Sequence, residues 1–231
     1  LLSRLGLWPP PLQQSCLSAP LRRLLQQLLD GLSHLHSLDI LHCKLRPASV
    51  LINSHGTLKL SGLGLGRVAS APNRNDSRQA ARDAIAHDGF DPPEVTRGAM
   101  QGGPSLDDEA PPLSTGAKKA ADIFSAGVLI FWCLTAGRHP FGEEPSQRRA
   151  NVLRGEATGL GQLRKLPEAQ QLVTRMLAPE PDVRLQAAQA RQHPALWEDE
   201  QRLLFVRCVS DEPELADDKS RFVHALEGHA T

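Results

Sequence analysis

Leu41-His42-Cys43-Lys44-Leu45-Arg46-Pro47-Ala48-Ser49-Val50-Leu51-Ile52 is the stretch on which the fold turns. Its end opens a run, Val50-Leu51-Ile52-Asn53, that pairs in pattern with Thr57-Leu58-Lys59-Leu60 across Ser54-His55-Gly56, the strand, turn, strand signature of a short hairpin. Upstream, Leu21, Leu24, Leu25, Leu28, Leu29, Leu32 and Leu35 recur at three- and four-residue steps, which predicts an amphipathic helix. Ser18 or Pro20 starts that helix and His36-Ser37 ends it. The quoted stretch up to Ser49 therefore carries a histidine, a lysine and an arginine, and no carboxylate.

Composition limits what surrounds this loop. The chain has 231 residues and 40% apolar content, enough for one large domain or a domain plus a fragment. Basic and acidic side chains balance at 26 each, so there is no electrostatic footprint for nucleic acid or a membrane surface. Cys16, Cys43, Cys133 and Cys208 are scattered without a Cys-x-x-Cys spacing, which suits reduced thiols in a cytosolic setting and indicates neither a disulfide framework nor a zinc site. The longest apolar run, Ile123 to Leu134, falls short of the roughly 20 residues that cross a bilayer. Leu1-Leu2-Ser3-Arg4-Leu5-Gly6-Leu7-Trp8 lacks the basic start, apolar stretch and small-residue cleavage site of a signal peptide, and without an initiator methionine the chain reads as a piece of a longer one.

Downstream, the stretch from Gly62 to about Lys119 is rich in Gly, Pro, Ser, Asp and Arg, which predicts mostly loop with one or two short helical turns. Helices are expected at Asp122 to Thr135, Ser146 to Arg154, Pro167 to Leu177, Leu185 to His193 and Trp197 to Val209. After Asp211 the tail turns acidic and polar and is expected to be marginally ordered. The Pro9-Pro10-Pro11 triplet breaks the pattern before the first helix.

Further landmarks follow the opening stretch in order. Gly62-Leu63-Gly64 stands eighteen residues beyond Lys44, followed by Gly89-Phe90-Asp91-Pro92-Pro93-Glu94, Asp122-Ile123-Phe124-Ser125-Ala126-Gly127-Val128, His139-Pro140-Phe141-Gly142, Asp182-Val183-Arg184 and His193-Pro194-Ala195-Leu196-Trp197. The series resembles the C-terminal lobe of protein kinases: the His-Arg-Asp-Leu-Lys-Pro-x-Asn loop, the Asp-Phe-Gly triplet, the Ala-Pro-Glu close of the activation segment and the central buried helix. Gln147-Arg148-Arg149-Ala150-Asn151-Val152-Leu153 and Leu203-Leu204-Phe205-Val206-Arg207-Cys208-Val209-Ser210-Asp211 narrow the resemblance to the inositol-requiring kinase/endoribonuclease of the unfolded protein response, with the 2-5A-dependent ribonuclease as a cousin.

The resemblance implies a mainly α fold, a kinase-like C-terminal lobe of helices with a short β-hairpin and no N-lobe, followed by the start of a helical kinase-extension nuclease domain. It divides the chain into 1–20, a remnant of the hinge region or linker; 21–197, the kinase-like lobe; and 198–231, the truncated beginning of the nuclease domain. It also implies what has been lost. Lys44 stands at the catalytic-base position, where a cation cannot accept a hydroxyl proton. Ser49 and Gly62 stand at the two metal-ligand positions, and Arg46 at the loop-lysine position. Cys43 replaces the arginine that grips a phosphorylated activation loop, leaving Ser70 or Ser77 without that partner unless Arg67, Arg74, Arg78 or Arg82 substitutes. His42, Glu94, Asp122 and Arg184 are assigned structural roles: Glu94 and Arg184 as an ion pair, Asp122 as a cap on the catalytic-loop backbone.

The family uses ATP and magnesium; here no cofactor is expected, and the expected function is a pseudokinase that serves as a dimerisation or docking scaffold in an endoplasmic-reticulum stress sensor. An active serine/threonine kinase, or part of a working endoribonuclease, is the alternative. The expected partner is a second copy or a related kinase/nuclease chain, with no direct nucleic-acid contact and membrane association only through the rest of the parent protein. The parent is expected on the cytosolic face of the endoplasmic reticulum membrane, with this fragment itself soluble.

Plainer readings compete at several positions. Gly62-Leu63-Gly64-Leu65-Gly66 has no final glycine, Arg67 standing there, and no βαβ frame, so it is not a dinucleotide loop. Asp122, ahead of an apolar run, also reads as an N-cap of its own helix. Asp107-Asp108-Glu109 reads as a solvated loop, Asn75-Asp76-Ser77 as an unused glycosylation triplet, and Cys43 as an inert thiol beside Lys44.

Overall fold

The computed structural model describes residues 17–63, 89–100 and 114–211. Helix α1 spans Ala19–Ser37 with Pro20 in its first turn, where a missing N–H costs nothing. Leu21, Leu24, Leu25, Leu28, Leu29 and Leu32 form its buried stripe. The helix ends in a backward turn, with Leu38 and Ile40 N–H both donating to the Leu35 carbonyl and Asp39 in the left-handed region at φ 56°.

The hairpin follows as expected: β1 (Val50–Ile52) pairs antiparallel with β2 (Leu58–Leu60), in the register Val50 to Leu60, Leu51 to Lys59 and Ile52 to Leu58. Asn53 Oδ1 accepts from the N–H groups of His55 and Thr57, and Gly56 takes φ 73°, which closes the turn. One side-chain bond moors the hairpin to α1: Leu58 N–H donates to Gln27 Oε1 at 2.8 Å. Leu60 also rests on Gly31, where an added Cβ would come within 3.1 Å of it.

Helix α2 covers Pro93–Met100 and α3 covers Thr115–Leu134. The eight residues of α2 are about two helical turns, within what the Gly62 to Lys119 stretch predicts, but the central helix begins seven residues ahead of Asp122, which corrects its expected start. Ser114, not Asp122, is the N-cap of α3: its Oγ accepts from Ala117 N–H at 3.1 Å. The polar first turns of α3, Thr115 to Ala121, hide its start because they carry none of the apolar signal that marks the rest.

From Ile123 onward α3 is apolar all round and is the spine of the core. Ile123, Phe124, Val128, Ile130, Phe131 and Leu134 are each at most 1% exposed. Full burial of each such side chain is worth about 1.5–3 kcal/mol. Gly127 lets α5 (Pro167–Met176) cross closely, since a Cβ there would sit 2.9 Å from Met176 Cβ. Helices α4 (Pro145–Arg154) and α6 (Ala187–Arg191) complete this unit, which runs from Leu1 to Leu196. Gln26 in α1 donates to the Leu196 carbonyl at 2.7 Å and ties the last turn of the unit to the first helix.

Residues Trp197–Thr231 form a second unit. Its helix α7, Asp199–Ser210, has the Trp197 and Phe205 rings 5.3 Å apart and leaves Leu203, Leu204, Phe205 and Val206 more than half exposed. Among the described residues no helix is long and apolar enough to cross a membrane. Cys16, Pro9-Pro10-Pro11, Gly64 with the run that follows it, Ser70, Asn75 to Ser77, the arginines 67 to 82, Asp107 to Glu109 and the tail beyond Asp211 lie outside the described residues.

Candidate functional site: the loop between α1 and β1

Asp122 organises this loop from behind. Its carboxylate is 2% exposed and accepts from His42 N–H at 2.8 Å and Cys43 N–H at 2.7 Å, one backbone amide per oxygen. A third bond comes from His36, whose Nε2 lies 3.1 Å from Asp122 Oδ2. Nothing in the sequence pattern pointed to His36, because a histidine near the end of an amphipathic helix carries no signal of where its ring will land.

His42 is fully buried, and burial holds its imidazole below the ordinary histidine range despite the opposing Asp122 carboxylate. A neutral, sealed imidazole suits packing. Cys43 adopts φ 62°, an uncommon conformation for a residue with a Cβ, and its N–H contact with Asp122 holds it there. Leu45, 2% exposed, plugs the loop into the core.

The remaining candidate positions of the loop are held differently. Lys44 is exposed, and no side-chain hydrogen bond or ion pair engages it among the described residues. Arg46 is half-buried; its Nε is buried with no hydrogen-bond partner. Ser49 is turned inward: its Oγ accepts from Arg46 N–H at 3.0 Å and donates to the Arg46 carbonyl at 2.8 Å. Ser61 ties β2 to the same point through the Ser49 carbonyl. Gly62 has no side chain, takes φ 72°, and would have open space around a Cβ.

This donor set does not fit magnesium. The hydroxyl at one metal-ligand position is consumed by backbone, the other position offers no donor, and the Asp122 carboxylate is spent on two amides and an imidazole. No group of three histidine, cysteine or acidic side chains among the described residues could hold a metal ion. A hydrated cation facing Lys44 would also meet like charge.

The second structural cluster is the Glu94–Arg184 pair. Arg184 Nη1 and Nη2 donate to the two Glu94 oxygens at 2.7 and 2.9 Å, and the remaining N–H groups go to the carbonyls of Ala178, Ala120 and Pro179. All five donors of the guanidinium are used, and its plane lies 5.1 Å from the Phe124 ring centre. The pair bolts the start of α2 to α3 and to the turn after α5. A cavity of about 660 Å³ is lined by His36, Lys119 and Leu185 among others, and by none of Lys44, Arg46, Ser49 or Gly62.

The protein kinase domain family matches residues 12–196. The chain belongs to the protein kinase family. It is 33% identical over 217 residues to the serine/threonine-protein kinase/endoribonuclease IRE1b of Arabidopsis thaliana, covering 92% of this chain and 23% of that protein. It is 31% identical over 203 residues to the inactive serine/threonine-protein kinase/endoribonuclease IRE1-like of the same organism, covering 85% of this chain and 33% of the relative. The chain thus spans between about a quarter and a third of the length of these two relatives. Among solved structures, Rad53 1-466 in complex with AMP-PNP superposes with a TM-score of 0.55 at 21% identity, covering 81% of this chain and 43% of that one, which establishes the fold.

Proposed function

We propose that this chain is a kinase-type domain without phosphoryl-transfer chemistry, a pseudokinase that acts as a dimerisation or docking scaffold. The observation that carries this is the pairing of an intact frame with an emptied reaction surface: Asp122 holds the loop backbone, while the loop presents Lys44, Arg46, an inward Ser49 and Gly62. Phosphoryl transfer needs a base and metal ligands in place, and three substitutions remove them together. A relative named as inactive, matching over 85% of this chain, supports the same reading.

The kinase/endoribonuclease relatives support assigning the parent to the endoplasmic-reticulum stress-sensor class, at the cytosolic face of that membrane. In this reading residues 1–20 are linker, 21–197 the kinase-like lobe and 198–231 the start of a nuclease extension. The partner is a second copy or a related kinase/nuclease chain, and no cofactor is required.

Incubation of the purified protein with radiolabelled ATP and magnesium tests the central claim. No labelled protein is expected. Labelling that disappears in Lys44→Ala would overturn it and return the chain to the serine/threonine kinases.

A further inference from the structure

We infer that the cavity of about 660 Å³ between the end of α1, the start of α3 and the turn leading into α6 is an allosteric site. Its ligand is an uncharged aromatic molecule with one O–H or N–H donor. His36 Nδ1 accepts that donor, and the Asp122 carboxylate relays occupancy to the loop between α1 and β1. The inference goes beyond the pseudokinase reading and does not depend on it, since Lys44, Arg46, Ser49 and Gly62 take no part in the cavity wall.

Size and lining come first. The volume falls in the range of small-molecule pockets, about 300–1,000 Å³. Ile123, Leu185 and Ala187, each at most 4% exposed, give the cavity a buried apolar lining, with Ala120 beside Ile123 on α3. An apolar lining takes an apolar body, and a rigid ring buries much area at little cost in lost rotamer freedom. Charge then narrows the choice. The two cations of the wall are already matched, Lys119 by Asp39 at 2.6 Å and Arg184 by Glu94 at 2.7 Å. An anion would have to displace one of these carboxylates, so the site suits a neutral ligand.

His36 supplies the polar anchor. Its side chain is 10% exposed and lines the cavity, while Nε2 is held 3.1 Å from Asp122 Oδ2. A carboxylate oxygen accepts, so Nε2 carries the proton in this bond and Nδ1 of the neutral ring is left with a lone pair. Nδ1 makes no hydrogen bond among the described residues, and it is not sealed in the interior. A largely buried ring with one open acceptor is completed by a ligand donor.

Coupling follows from position. Ala120 and Ile123 of the wall bracket Asp122, whose two oxygens hold the His42 and Cys43 N–H groups at 2.8 and 2.7 Å. A ligand on Nδ1 changes the hold of the imidazole on that carboxylate, and so biases the loop that the carboxylate supports.

The test is ¹H–¹⁵N NMR titration of the 231-residue chain. The probes are 2-naphthol, a neutral aromatic with one O–H donor, and 2-methoxynaphthalene, the same rings without it. The naphthol should bind about tenfold more tightly than its ether, the worth of one buried hydrogen bond, and should shift the His42 and Cys43 amide resonances. Ala188→Phe, which places a ring at the cavity from an exposed position of α6, should weaken naphthol binding at least about tenfold, as should Ser33→Phe from the α1 side. His36→Phe should erase the difference between the two probes.

No saturable binding of naphthol, equal affinity for the ether in the parent chain, or undiminished binding by either blocking variant with a parent-like spectrum overturns the site. Naphthol binding that leaves the His42 and Cys43 amides unmoved overturns its coupling to the loop.

Discussion

The Glu94–Arg184 pair and the loop at His42 and Cys43 are both tied to α3, yet one uses every donor its chemistry offers and the other presents Lys44 to solvent. In the pair, a fully buried guanidinium satisfies five N–H groups and stacks on Phe124. Losing either partner would strand a buried charge, so the cluster is held in place by the cost of breaking it. In the loop, Lys44 is exposed, and Gly62 has open space around it but a φ of 72° that strains any residue with a Cβ. Buried charge holds the first region; backbone conformation alone holds Gly62, and nothing in the packing holds Lys44.

The comparison can be broken at its strong end. Arg184→Ala should destabilise the fold by about 3–5 kcal/mol, because Glu94 is left buried without its cation. Urea unfolding followed by circular dichroism checks this, and a loss under 1 kcal/mol would mean the pair is dispensable. Asp122→Ala should follow at about 3 kcal/mol, since the His42 and Cys43 amides lose their acceptor in a buried setting. The same variant should speed alkylation of Cys43, and an unchanged thiol reaction rate would show that the loop stands without its carboxylate.

Gly127→Ala should cost about 1–3 kcal/mol through overpacking against Met176 and Leu177. A thermal midpoint equal to that of the parent would show that the two helices can part. Acid tests the frame differently. His139 is 3% exposed, and burial, with Arg148 adding to it, pushes its imidazole down to about 3. Its folded value lies below the unfolded one, so the unfolded chain binds the extra proton and the stabilisation present above about pH 6.5 drains away as pH falls toward 3. The slope from this one group should approach 1.4 kcal/mol per pH unit within that window. His139→Asn should flatten the urea midpoint against pH there.

The smallest effect belongs to the loop. Lys44→Asp restores a carboxylate at the base position but should shift stability by no more than about 0.5 kcal/mol, as an exposed substitution does. It should also leave ATP turnover undetectable, because Ser49 and Gly62 still supply no metal ligand. Turnover gained from this one change would collapse the contrast between the two regions.

Much of this was legible in the letters. The leucine periodicity from Leu21 to Leu32 and the Val-Leu-Ile, His-Gly, Leu-Lys-Leu order placed α1 and the hairpin within two residues, because burial on one face and a glycine turn leave a strong imprint. The start of α3 was misplaced because Ser114 to Ala121 form helix through a hydroxyl cap and not through apolar spacing. Reading Asp122 as the cap of its own helix followed from the same error: local pattern saw an aspartate before an apolar run, whereas its partners are eighty residues away in sequence. Long-range contacts of that kind, His36 with Asp122 and Ser125 with the Phe90 carbonyl, leave no local trace.

Asp122 touches the loop only through main-chain amides, and those amides are the same whatever side chains decorate them. Cys43 takes its left-handed turn where its own N–H meets the Asp122 carboxylate. The shape of the loop is therefore set by its main chain, independently of the side chains that face away from Asp122.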